Sequence, residues 1–131
     1  MVTVQDVLAA GDKEIVVSVN IQGVEGKEII SYEFDLRYDP AVVQPLAEAV
    51  AVAGTVSRGL SVVTNANEPG LLRVVVYGSL PIDKDGVLLN LRFTAVGTFG
   101  SMSALTFERI IFNEGEPLVT TTDGRIEMAK Y

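Results

Sequence analysis

Between Ile29 and Pro40 the chain alternates with a period of two. Tyr32, Phe34, Leu36 and Tyr38 fall on one side, and Ser31, Glu33, Asp35 and Arg37 on the other. Successive side chains of a β-strand point to opposite faces, so this pattern predicts a strand with one face in a core and a polar row towards water. Asp39-Pro40 ends it, because proline has no N–H for a ladder and favours a turn. The same period recurs from Glu14 to Ile21, with Ile15, Val17, Val19 and Ile21 inward and Val16, Ser18 and Asn20 outward. From Val87 to Val96 it places Leu89, Leu91 and Phe93 inward and Leu88, Asn90, Arg92 and Thr94 outward.

Shorter segments fill the intervals. Val2-Thr3-Val4, Ser61 to Asn65, Leu71 to Tyr77, Leu105 to Glu108 and Arg125 to Ala129 read as strands. Gly11-Asp12-Lys13, Gly23 to Lys27, Pro81 to Gly86, Gly97 to Ser103 and Asp123-Gly124 read as turns or loops, and Pro69-Gly70 suits the centre of a type II turn. Leu46 to Ala53 is ambiguous. Its alanines favour a short helix, whereas Val50 and Val52 at period two favour a strand. Eight or nine strands with frequent turns, no βαβ rhythm and no long amphipathic helix predict an all-β sandwich or jelly roll. With no linker or repeat in view, residues 1–131 read as a single domain.

Composition narrows the functional classes. The 48% hydrophobic fraction excludes a disordered chain. No apolar run reaches the ~18 residues of a membrane-spanning helix, and Met1 is not followed by the basic and apolar segments of a signal peptide. The absence of Cys and His removes thiol nucleophiles, thiolate metal sites and imidazole bases together. A net charge of −7 argues against nucleic acid and anionic membrane surfaces.

The ordered run of features resembles a cohesin domain. It comprises Gly11-Asp12, a strand closing near Gly23, the aromatic strand ending in Tyr38-Asp39-Pro40 with Val42-Val43 after it, and Asp85-Gly86 before Val87-Leu88-Leu89-Asn90-Leu91-Arg92-Phe93. Asp123-Gly124-Arg125-Ile126 closes it. Phe34, Tyr38, Asp39 and Pro40, in a Phe-x-x-x-Tyr-Asp-Pro arrangement, are the most specific piece. The resemblance covers nearly the full length. It implies a nine-stranded jelly-roll sandwich that binds dockerins, small modules carrying two calcium-loaded helical loops, with the calcium on the partner and no cofactor on this chain. It implies a secreted or cell-surface protein, and a contact row of Ser31, Glu33, Asp35 and Arg37 on the aromatic strand. The cellulosomal pattern tends to have Asn and Asp where this chain has Ser31 and Glu33, and an acidic residue where it has Gly78-Ser79. A non-cellulosomal surface protein therefore fits as well.

Further candidate residues accompany that row. Asn90 and Arg92, with Leu88 on the same parity, are expected to flank it on a neighbouring strand. Arg73, Val75 and Tyr77 share one parity. Facing outward they would form a mixed apolar and polar interface patch; facing inward, Tyr77 would be core. Glu33 and Asp35, about 7 Å apart along the strand, have the composition of a glycosidase pair, but no Trp or enclosing cleft accompanies them. Asp83-Lys84-Asp85-Gly86 resembles part of a calcium loop yet lacks the remaining ligands, so a turn is expected. Together these features predict a non-catalytic protein-binding module. Two alternatives are a structural domain of a bacterial or archaeal cell-surface or S-layer protein and, disfavoured by the scarcity of aromatics, a carbohydrate-binding jelly roll.

Overall fold

The structure, a computed structural model, describes residues 1–9, 14–24, 27–82, 84–113 and 120–129. Gly11-Asp12-Lys13 and Asp83 thus lie outside the described residues. Among the described residues eleven strands occur: β1 (Val2–Val4), β2 (Asp6–Ala9), β3 (Glu14–Ile21), β4 (Ile29–Arg37), β5 (Val43–Ala51), β6 (Ser61–Asn65), β7 (Leu71–Ile82), β8 (Gly86–Ala95), β9 (Met102–Phe112), β10 (Thr121–Thr122) and β11 (Gly124–Met128). They form a five-stranded sheet, β10-β1-β3-β8-β5, and a six-stranded sheet, β2-β11-β9-β4-β7-β6. The count exceeds nine partly because the strands at both ends break as they pass from one sheet to the other. Val2–Val4 runs parallel to β10 in one sheet, and after Gln5 the chain runs parallel to β11 in the other. Gly124 marks the crossing: a Cβ there would lie 2.6 Å from the backbone oxygens of both Val4 and Gln5, too close for any side chain.

No helix occurs among the described residues. Leu46–Ala51 belongs to β5, whose register against β8 breaks between Pro45 and Val50. The alanines cannot secure a helix this short, and the β8 edge offers hydrogen bonds that proline interrupts only locally.

The two sheets bury one parity of their long strands between them, bulges apart. Tyr32, Phe34, Leu36, Leu72, Val74 and Val76 come from the six-stranded sheet, and Val17, Val19, Ile21, Leu89, Leu91 and Phe93 from the other. Phe34 meets Phe107 edge-on at 5.3 Å, and Tyr32 meets Phe112 at 5.8 Å. The Tyr32 hydroxyl lies 2.7 Å from the Ser57 hydroxyl, both buried, which ties the loop before β6 to the core. Burial pushes the Tyr32 phenol well above its usual range. The Tyr-Asp-Pro signature proves structural. Tyr38 is buried, and Asp39 Oδ1 accepts from Ala41 N at 2.9 Å while the Asp39 carbonyl accepts from Val42 and Val43. Glu68 O accepts from Leu71 N at 3.1 Å with Gly70 at φ +83°, the type II turn expected of Pro69-Gly70.

Leu88 departs from expectation: it is fully buried, as is Leu89. The β3–β8 register shifts there, from Val19↔Leu89 to Asn20↔Val87, so Leu88 is the extra residue of a β-bulge. The bulge resets the parity and turns both leucines inward.

Candidate functional site

The polar row of β4 stands at the middle of the six-stranded sheet, between β7 and β9. Register assembles three ranks across its outer face. Ser31 pairs with Tyr77, which pairs with Ser61. Glu33 lies between Ile111 and Val75, and Val75 pairs with Val63. Asp35 lies between Arg109 and Arg73, and Arg73 pairs with Asn65. The open question about β7 is thereby answered: Arg73, Val75 and Tyr77 all face outward, with Tyr77 49% and Val75 39% exposed.

The face has two halves of different character. On β6 and β7, Val63, Val75 and Tyr77 present apolar surface. Along β4 the charges are paired with arginines and glutamates of β9, β7 and the turn before β7. Arg109 reaches Glu33 at 3.2 Å, Arg73 reaches Asp35 at 3.4 Å, and Arg37 bridges Glu68 at 2.8 Å and Glu108. Hydrogen bonding from Arg37 holds the Glu108 carboxyl below the usual carboxylate range, and Glu108 followed by Glu68 raises Arg37 in turn. Asp35 does not stand free as the alternation implied. Flanked by two arginines on a central strand, its side chain is only 13% exposed. A shallow depression of about 340 Å³ lies over Glu33, Asp35, Arg73, Val75 and Arg109. Glu33 and Asp35, each held by an arginine in an open depression, lack the enclosure of a paired-carboxylate active site.

Asn90 and Arg92 do not flank this row. Their strand β8 belongs to the other sheet, where Asn90 Oδ1 lies 2.8 Å from Ser18 Oγ and Arg92 pairs with Glu14 at 2.9 Å. Leu88 is core. Equal parity says which side of its own sheet a residue faces and nothing about which sheet its strand joins. Sequence reasoning in turn missed the β9 and β6 contributions. The register of β4 on β9 passes from Asp35↔Arg109 to Leu36↔Phe107, leaving Glu108 as a bulge residue, so Glu108 and Arg109 are both exposed. Two adjacent charges interrupting an alternating strand were the available signal.

Among the described residues no group of three or more Asp or Glu side chains is arranged to hold a metal ion.

The chain superimposes on solved structures of low identity. One is the sixth cohesin of scaffoldin B from Acetivibrio cellulolyticus, in complex with a variant Cel5 dockerin. The TM-score is 0.81 at 20% identity, covering 97% of this chain and 96% of that one. Another is a non-cellulosomal cohesin from the hyperthermophilic archaeon Archaeoglobus fulgidus, with TM-score 0.79, 21% identity and coverages of 98% and 90%. A third is a type I cohesin–dockerin complex from Clostridium thermocellum, with TM-score 0.76, 18% identity and coverages of 97% and 96%. At these identities the likeness establishes the fold. No curated protein matches the sequence. The cohesin domain family model matches residues 1–128, and on that match the chain belongs to the cohesin family.

Proposed function

We propose that residues 1–131 form one non-catalytic binding module that recognises a dockerin-like, calcium-loaded protein through the outer face of β4, β6, β7 and β9. The observation that carries this reading is the divided face itself. Exposed Val63, Val75 and Tyr77 lie beside a row of ion pairs, on a rigid sheet that needs little ordering to bind. An exposed aromatic with a polar tip, here set between Ser31 and Ser61 and next to Val75, is a usual anchor of an interface. Two of the similar cohesins are described in complex with dockerins, which supports the choice of partner. The contact residues proposed are Ser31, Glu33, Arg37, Arg73, Val75 and Tyr77, with Asp35 acting mainly through Arg73. A secreted or cell-surface setting follows from the same reading. The likeness to the archaeal non-cellulosomal cohesin supports a surface protein outside a cellulosome as the second reading.

Calorimetric titration against a panel of dockerins with calcium supplied tests the proposal. Tyr77→Ala should cost about 2 kcal/mol or more of binding free energy, as for a central aromatic anchor. Asn90→Ala, on the opposite sheet, should leave affinity unchanged. Equal effects of the two substitutions would place the interface elsewhere, and no binding to any dockerin would favour a structural surface domain.

A further inference from the structure

The four sheet edges are not equally defended. An edge strand offers unpaired N–H and C=O groups to any other strand, and proteins usually blunt it with charge, proline, bulges or brevity. The β5 edge carries Pro45, Glu48 and a register break. Strand β10 has two residues, and β2 has four and begins with Asp6. Strand β6, Ser-Val-Val-Thr-Asn, is longer than β2 and has no charge, no proline and an unbroken register on β7. Among the described residues its backbone pairs with β7 alone, and no loop hydrogen bond closes its outer side.

The sequence of this edge is also self-complementary. Val63 is its central residue and 53% exposed. An antiparallel partner related by a two-fold axis midway between the two copies of Val63 places Val63 opposite its counterpart, Val62 against Thr64, and Ser61 against Asn65. The last pair is chemically matched. Asn65 Oδ1 already accepts from Asn67 N at 2.9 Å, which leaves the amide N–H groups to donate to the Ser61 hydroxyl of the other copy. No charged residue lies within the paired segment.

We propose that β6 is a self-association edge, through which two copies of this chain join antiparallel about Val63 and make one continuous twelve-stranded sheet. The contact is isologous and closes on itself, so it yields dimers and not filaments. Five residues of strand make a small interface of the weak, reversible kind. Each copy carries a charge of −7 while the edge itself is neutral. Added salt therefore screens the repulsion and strengthens the dimer. The outer face of β4 and β7 stays open, and the inference does not depend on the partner proposed above.

Sedimentation velocity on the isolated chain, from low micromolar to about 1 mM, should show a concentration-dependent dimer that tightens with sodium chloride. Val63→Lys, which sets like charges opposite one another, should raise the dimer dissociation constant about tenfold or more without lowering the melting temperature. The chain has no cysteine, so Val63→Cys reports on register directly. Residues opposed across antiparallel strands have Cα atoms about 4.5 to 5.5 Å apart, within the range a disulfide spans. Mild oxidation should cross-link Val63→Cys far faster than Val16→Cys, which is comparably exposed on the other sheet. A chain monomeric across that range, a dimer unaffected by Val63→Lys, or equal cross-linking of the two cysteine variants would each overturn the proposal.

Discussion

Asp35 and Glu33 share a strand face, yet their surroundings separate them: Glu33 remains accessible beside Arg109, whereas Asp35 is enclosed between Arg73 and Arg109. Exposure on this face is set by the width of the neighbouring side chains as well as by parity. A similar local rule governs titration. Glu108 hydrogen-bonds Arg37, so its folded pKa is depressed. A depressed carboxyl contributes stability that is complete above its unfolded value and is lost as pH falls through the lower folded value. The contribution is confined to the acid side and, on an exposed pair, is screened. In an NMR titration the Glu108 carboxyl should titrate below its ordinary range, and Arg37→Gln should return it there. Glu14, held down separately by Arg92 on the other sheet, should not move. Inside the core, Ser57→Ala should cost about 1–3 kcal/mol, since it leaves the buried Tyr32 hydroxyl without its partner. Chemical denaturation should show that adding Tyr32→Phe to Ser57→Ala costs less than the sum of the two.

At the level of elements, alternation was legible wherever a strand ran unbroken, and failed at bulges. Ile15 to Ile21 and Tyr32 to Leu36 bury the expected parity. Leu88 and Arg109 do not follow it, because bulges at Leu88 and at Glu108 reset the parity, a feature fixed by pairing with a distant strand. Which strands become neighbours is equally non-local. The β4 row was readable as an outward face, but its partners β7 and β9 and the exclusion of β8 came from topology. The consequence is measurable. Leu88→Ala should destabilise by about 2–5 kcal/mol as a core truncation, whereas Thr94→Ala, further along the same strand, should stay within about 0.5 kcal/mol. A urea melt in which the two are alike would mean that the β3–β8 register continues without the bulge.

For the whole molecule, the two sheets divide the work. The five-stranded sheet uses its outer polar groups on itself, through Ser18–Asn90 and Glu14–Arg92. The six-stranded sheet keeps apolar Val63, Val75 and Tyr77 in water, which a folded chain gains nothing by doing unless a partner covers them. If that partner is a calcium-loaded helical module, metal dependence should reside wholly in the complex. The hydrophobic core here spans both sheets without any metal-binding group among the described residues. A chelator should therefore leave the melting temperature of this chain alone unchanged. The same chelator should abolish its complex, because the partner loses the folding energy its bound ions supply. Differential scanning calorimetry of the chain, the partner and their mixture, each with and without chelator, separates the cases. A fall in the melting temperature of the chain by itself would locate a calcium site on this module and reverse the assignment of the metal to the partner.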